Sequence, residues 1–127
     1  MSTLKVDTIQ NTSAAHSSTP EQIAQGRAKA WVNFNGQGTI AIRDSFNVSS
    51  LTDHAAGNYS VTMTNAMPNS NFCVVGMSGH TSGDALRTLG VFNNLTTTTF
   101  RVFSQYSPDT SNPGRDDQIV CCAVFGD

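Results

Sequence analysis

The sequence predicts a mainly β protein built as an antiparallel β-sandwich of about eight short strands. Three observations support this prediction. Apolar and polar residues alternate with a period of two along most of the chain after residue 26. Clusters of Gly, Pro, Asn and Asp interrupt the alternation roughly every 8 to 15 residues, as turns do. Ser (14), Thr (15) and Asn (11) together make up 40 of the 127 residues, a composition typical of strands and turns with many exposed hydroxyl and amide groups.

The N-terminal segment, residues 1–26, is predicted to be separate from a head domain, residues 27–127. It begins with a short alternating strand in the first ten residues. A small, polar linker follows at residues 11–18, where no apolar side chain is larger than that of Ala.

A short helix is predicted at residues 19–26. Thr19 and Gln22 have the spacing of a capping box, and Pro20 suits the first helical position. Gly26 is expected to end the helix in the left-handed conformation. A helix of two turns is unstable by itself, so it is expected to pack on another surface.

The head is predicted to open with a hairpin. Its turn is Asn35–Gly38, because Asn-Gly is one of the strongest short hairpin signals. The return strand is expected to place Asp44 on its apolar face, where a carboxylate needs a partner or a nearby bulge. The expected buried side chains of the first strand are Ala28, Ala30, Val32 and Phe34, and those of the return strand are Ile40, Ile42, Phe46 and Val48.

Five further strands are expected. A turn at residues 53–58 leads into a strand in which Tyr59, Val61 and Met63 share a face. The remaining four are a central strand at residues 72–77, a pair formed by residues 86–92 and 98–106, and a final strand at residues 119–125 that is buried on both faces. Long loops are expected at residues 78–84 and 107–117.

Charge and composition exclude several classes of protein. A formal net charge of −2 with 13% charged residues lacks the basic surface of an electrostatic nucleic-acid binder. No apolar run reaches the length of a membrane span, and the N-terminus has no signal-peptide core, so we expect synthesis in a cytosol. Cys73, Cys121 and Cys122 are expected to be free thiols, with Cys73 and one of the adjacent pair in the core.

No catalytic or metal-binding motif is recognised, and no cofactor is expected. The three histidines, His16, His54 and His80, lack the spacing of a zinc site. Asp116 and Asp117 could join Asp109 around a hard cation, because such ions prefer clustered carboxylates. The alternative is that they are solvated loop charges, and the sequence alone leaves both open.

Several blocks of the first 75 residues are similar to one kind of protein. Ser2–Gln10 and the block Gln25–Gly36 within Thr19–Val48 resemble tail-fibre-like virion structural proteins of marine and cyanobacterial phages. The blocks Phe46–Ser50, Gly57–Tyr59 and Ala66–Pro68 extend the similarity. None of them contains a catalytic motif.

The resemblance implies a homotrimeric virion protein, made in the host cytoplasm, that acts as a tail-fibre or receptor-binding component without enzymatic activity. Residues 1–26 would join the copies and contact other virion proteins. The loops would contact a glycan or protein of the bacterial surface, the alternative being ordinary solvated turns. Candidate trimer-interface residues are Leu4, Val6, Ile9, Ile23 and Trp31. Candidate host-contact residues are His54, Tyr59, His80, Asp84, Tyr106, Asp109 and Arg115.

Two other functions are weighed against the tail fibre. The short chain favours a capsid decoration protein, which has a structural role on the phage head and needs no ligand. A polysaccharide-cleaving tailspike is disfavoured, because the chain lacks a long repetitive shaft and a carboxylate cluster. Trp31 likewise has two interpretations, a subunit interface or packing beneath the N-terminal helix.

Overall fold

A computed structural model describes residues 1–13, 17–81, 86–92, 95–106 and 114–126. Its described part is an antiparallel β-sandwich of two four-stranded sheets, preceded by a small two-stranded sheet and one helix. In chain order the elements are β1 (Ile9–Gln10), β2 (Ser17–Ser18), α1 (Pro20–Gly26), β3 (Ala30–Asn35), β4 (Ala41–Phe46), β5 (Val48–Ala55), β6 (Asn58–Met63), β7 (Cys73–Gly79), β8 (Arg87–Val91), β9 (Thr99–Tyr106) and β10 (Ile119–Phe125).

The N-terminal segment differs in part from its prediction. The expected strand in the first ten residues is confined to Ile9–Gln10, and it pairs with Ser17–Ser18 of the expected linker. The capping box of α1 is confirmed, since Thr19 and Gln22 exchange hydrogen bonds of 3.2 and 2.9 Å between side chain and backbone. Gly26 is not left-handed: it is still helical, and Arg27 leaves the helix in an extended conformation with a φ of −88°. No helix in the described part of the chain is long and apolar enough to span a membrane.

Sheet I has the strand order β4-β3-β10-β7. The predicted buried face of β3 is confirmed at its three strand positions, Ala30, Val32 and Phe34. The prediction of a central strand at residues 72–77 is wrong, because β7 lies at the edge of the sheet, where β10 is its one partner among the described strands. The central strands are β3 and β10. The side chains of β10 are fully buried on one face only, so its predicted burial on both faces is also wrong.

The edge strand β4 also departs from its prediction. Ile42 and Phe46 are exposed rather than buried, and Asp44 faces solvent. Pairing with β3 shifts register at Arg43, since Asn33 faces Asp44 while Phe34 faces Ile42. Such a bulge twists the edge strand and breaks the alternation that the sequence suggested.

Sheet II has the strand order β5-β6-β9-β8. The predicted pairing of residues 86–92 with 98–106 is confirmed by the β8–β9 ladder. The turn predicted at residues 53–58 is shorter than expected, because β5 continues to Ala55 and only two residues connect it to β6.

The inner faces of the two sheets form one apolar core. The phenyl ring of Phe34 meets the ring of Tyr59 edge-on, with centroids 5.2 Å apart. All three cysteines are free thiols, as predicted, and Cys122 is buried. Cys73 is exposed because it lies opposite Phe125 on the outer face of sheet I, whereas the next residue, Val74, lies opposite the buried Val124. Burial, with a smaller contribution from the neighbouring Cys121, raises the pKa of the Cys122 thiol to about 12. The fully or nearly fully buried side chains include Ala30, Val32, Phe34, Tyr59, Val61, Met63, Phe100, Val102, Val120, Cys122 and Val124.

Candidate functional site

One end of the sandwich, called the loop end below, collects the connections that the sequence singled out. Strand β3 finishes there at Asn35, opposite Ala41, and Ile119 lies opposite Gly79 in the same sheet. In sheet II the corresponding positions are Ala55 opposite Asn58 and Arg87 opposite Tyr106. The described residues of the loop end are therefore 36–40, 56–57, 80–81, 86 and 114–118; the predicted loop residues 82–85 and 107–113 lie outside the described part of the chain.

Tyr59 links the two sheets at this end. Its side chain is completely buried, and its hydroxyl oxygen lies 2.8 Å from the Gly36 carbonyl and 2.8 Å from Asp116 Oδ1. Burial, then the hydrogen bond to the Asp116 carboxylate, raises the pKa of Tyr59 above its ordinary value. The prediction that Tyr59 contacts the host is wrong, because the alternation that begins at Tyr59 points its ring into the core.

Asp116 fastens the β5–β6 turn to the segment that precedes β10. Besides Tyr59, its Oδ1 accepts a hydrogen bond of 2.7 Å from the Gly57 backbone N–H. Gly57 has a φ of +71°, and a Cβ there would lie 2.2 Å from the Ser104 carbonyl and 2.6 Å from the Arg115 nitrogen. The turn can pass beneath this segment only because residue 57 has no side chain.

Asp117 is fully buried, although the sequence suggested either a cation ligand or a solvated loop charge. One carboxylate oxygen lies 3.1 Å from Arg87 Nε, and the other accepts a hydrogen bond from the Ser104 hydroxyl. Ser78 Oγ lies 2.9 Å from Ser104 Oγ. The Asp117 backbone carbonyl also accepts a hydrogen bond of 2.9 Å from the Gly36 N–H. Asp117 therefore ties together strands of both sheets.

Cation binding at the predicted aspartates finds no support in the described part of the chain. Both carboxylates already accept hydrogen bonds or pair with Arg87, as described above. No group of three or more His, Cys, Asp or Glu side chains among the described residues could hold a metal ion. Asp109, the third predicted ligand, lies outside the described residues.

The other predicted host-contact residues lie at or near the loop end. His80 directly follows β7 and Tyr106 ends β9, and both are half-buried, while Arg115 is exposed. His54 is exposed but lies within strand β5 rather than in a loop, with its Nε2 2.8 Å from Ser60 Oγ. Asp84 lies outside the described residues. Arg87, which no pattern in the sequence singled out, places its guanidinium over the Tyr106 ring, 5.3 Å from the ring centroid.

The predicted trimer-interface residues fall into two groups. Leu4, Val6, Ile9 and Ile23 are exposed, and all four line one open groove of about 650 Å³ between the N-terminal residues and α1. Trp31 does not line this groove: it is half-buried on the outer face of sheet I.

Comparison with models of known protein families found no match, and comparisons with curated proteins and with solved structures found none either. A functional assignment therefore depends on the arrangement of the residues in this chain.

Proposed function

We propose that the chain is a virion structural protein of a bacteriophage, a tail-fibre component whose loop end contacts the bacterial surface. The observation that carries the proposal is the placement of the two ends of β3. The N-terminal segment enters the sandwich at Ala30, where the Lys29 N–H donates to the Val124 carbonyl over 2.8 Å. The strand then runs about 20 Å to the loop end at Asn35. An attachment segment at one end and contact loops at the other suit an adhesion protein.

The chemistry of the loop end is compatible with a polar ligand such as a surface glycan or protein. His80, Tyr106 and Arg115 bring a ring nitrogen, a phenol and a guanidinium to one region. Tyrosine and arginine supply contact area and hydrogen bonds at many binding surfaces. The Asp116 and Asp117 contacts hold the backbone beside Arg115 in place.

The groove lined by Leu4, Val6, Ile9 and Ile23 is the proposed site where copies of the chain, or other virion proteins, meet the N-terminal segment. Its exposed apolar side chains lack a covering partner among the described residues. A homotrimer joined there would present three loop ends together, so that weak individual contacts gain avidity. Replacing Leu4 and Ile23 together by Asp should make the oligomer dissociate at a higher protein concentration, and an unchanged dissociation concentration would exclude this groove as a joining surface.

Cell binding by loop-end variants tests the adhesion proposal. Purified protein should bind saturably to susceptible bacteria, and Arg115→Glu should weaken the binding at least roughly tenfold, as the loss of about 1.4 kcal/mol would. Lys29→Glu is the control, because it makes the same charge change at the opposite end of β3, at a residue that does not line the groove of the N-terminal segment. Equal binding by both variants would contradict a contact at the loop end.

Gold labelling of intact virions separates the tail fibre from capsid decoration. An antibody to the protein should mark the tail in electron micrographs. Label spread over the head would instead identify a decoration protein and refute the tail-fibre proposal.

A further inference from the structure

The outer face of sheet I is apolar although it does not face the core. The strand register places four residues in one row across the sheet, in the order Phe46, Trp31, Ala123 and Val75. Met77 is 76% exposed, Phe46 53% and Val75 48%. The residues of this face other than Phe46 line an open depression of about 860 Å³, to which Asn33 also contributes. The outer face is defined here by Trp31, Phe46, Val75, Met77, Ile119, Cys121 and Ala123.

Sheet II provides an internal comparison. Its outward positions on β6 and the neighbouring strands are mostly polar. An apolar outward face is therefore a feature of sheet I and is not shared by the other sheet. The outward residues of sheet II include Asn58, Ser60, Thr62, Thr88 and Arg101. Antiparallel sheets with one solvated side alternate in this way, whereas the outer side of sheet I is mostly apolar, with Asn33 and Asp44 as its polar positions on β3 and β4.

Charged groups surround the outer face but do not enter its centre. Arg43 lies toward the loop end, where its guanidinium donates to Asn33 Oδ1 over 3.2 Å and to the Phe34 carbonyl over 2.9 Å. Asp44 lies on the edge strand, and Lys29 precedes β3 at the opposite end. An apolar centre containing Trp, Met and Phe inside a polar rim is the usual anatomy of a protein interface.

The size and composition of the face favour a copy of the same chain as its partner. Four strands about 4.8 Å apart and about seven residues long cover a projected area of roughly 450 Å². The exposed side chains of Met77, Phe46 and Val75 protrude from this plane and add to its area, and stable interfaces bury roughly 600–800 Å² per partner. Interfaces between copies of one chain are more apolar than those between different, separately soluble proteins. A face with no charge at its centre fits the first kind.

We propose that the outer face of sheet I is covered by neighbouring copies of this chain. The width of the sheet suits such an assembly. Three sheets about 19 Å wide can form the sides of a triangular prism with their outer faces toward its axis. Each sheet then lies about 5.5 Å from the axis, which is close to half of the roughly 10 Å that separates packed sheets. The contact is additional to the groove of the N-terminal segment, and it is independent of what the loop end binds.

Two substitutions by lysine test this contact. Val75→Lys places a charge on the outer face, and Thr88→Lys is its control. Both residues are exposed and lie on edge strands, β7 and β8, and Thr88, opposite Gln105, is on the outer side of sheet II. The wild-type protein and the Thr88 variant should be oligomers that dissociate at the same protein concentration, while the Val75 variant should dissociate at a higher one.

The thiol of Cys121 gives a second readout, because residues 1–26 could hold copies together by themselves. In a Cys73→Ser background, the Cys121 thiol should react with a maleimide at least roughly tenfold faster in the Val75 variant than in the wild type, since 1.4 kcal/mol of protection is lost. Cys122, which is buried within the fold, should stay unreactive and so report that the sandwich is intact. Labelling is assigned by peptide mass spectrometry.

Equal Cys121 rates in the wild type and the Val75 variant would overturn the proposal, whatever the mass. A reactive Cys122 in the Val75 variant would show that Val75→Lys disturbs the fold. Met77→Lys is then used in its place, because the Met77 side chain is 76% exposed and a charge there leaves the core intact. Loss of protection at Cys121 with normal cell binding would separate this contact from the adhesion proposal.

Discussion

Replacing Tyr59 by Phe tests whether the Tyr59 hydroxyl holds the loop end together. The substitution keeps the ring and its edge-on contact with Phe34 but removes the group between the Gly36 carbonyl and the Asp116 carboxylate. A hydrogen bond to a charged acceptor contributes about 1.5–3 kcal/mol to stability. Asp116 keeps its hydrogen bond from Gly57, which favours the lower part of this range. We therefore expect a loss of about 2 kcal/mol.

Urea unfolding measures this loss, and Tyr106→Phe is its control. The Tyr106 ring is half-buried beneath Arg87 and keeps that contact as Phe, so its stability should change by less than about 0.5 kcal/mol. Hydrogen exchange adds a local readout: the Gly57 amide should exchange faster in the Tyr59 variant, because its acceptor Asp116 is less firmly held. A Tyr59 variant as stable as the Tyr106 variant, with unchanged exchange at Gly57, would refute the reasoning.

Three further predictions concern the same fold. Asp117→Asn should cost about 3 kcal/mol in urea unfolding, because it leaves the Arg87 guanidinium without its charged partner, and adding Arg87→Met should recover part of that loss. Gly57→Ala should lower the free energy of unfolding by more than about 2 kcal/mol. Gly38 has a similar φ of +67° but open space around it, so Gly38→Ala should cost only about 1 kcal/mol. Equal losses would contradict the backbone clash at residue 57. Above pH 9 the Cys122 thiol ionises in the unfolded chain but not in the folded one. The free energy of unfolding should therefore fall by up to about 1.4 kcal/mol per pH unit until the folded pKa near 12, and Cys122→Ala should reduce that slope.

Local patterns predicted the parts of the fold that depend on neighbours in sequence. The capping box of Thr19 and Gln22 and the β8–β9 pairing follow from spacing within a few residues. The position of β7 at an edge depends on pairing with β10, some forty residues away, and no pattern within β7 records it. An apolar run indicates that a strand has apolar faces; it does not indicate whether the core or another chain covers them.

The candidate site shows the same limit. Tyr59 belonged both to the buried alternation with Val61 and Met63 and to a loop-rich region, and the alternation was the better signal. Asp117 looked like a loop charge because its partners, Arg87 and Ser104, come from strands of the second sheet. Only the fold brings those groups together, so spacing in the sequence could not have indicated the pair.

The buried polar contacts and the proposed binding surface are connected through Arg115. Its backbone N–H donates to the Ser104 carbonyl over 3.0 Å, and its neighbour Asp116 is held by Gly57 and Tyr59. A side chain on backbone fixed in this way loses little conformational freedom when a ligand binds, so more of each contact's free energy appears as affinity. For a protein that binds through several weak contacts at once, such order at the loop end matters as much as the chemistry of the side chains that it presents.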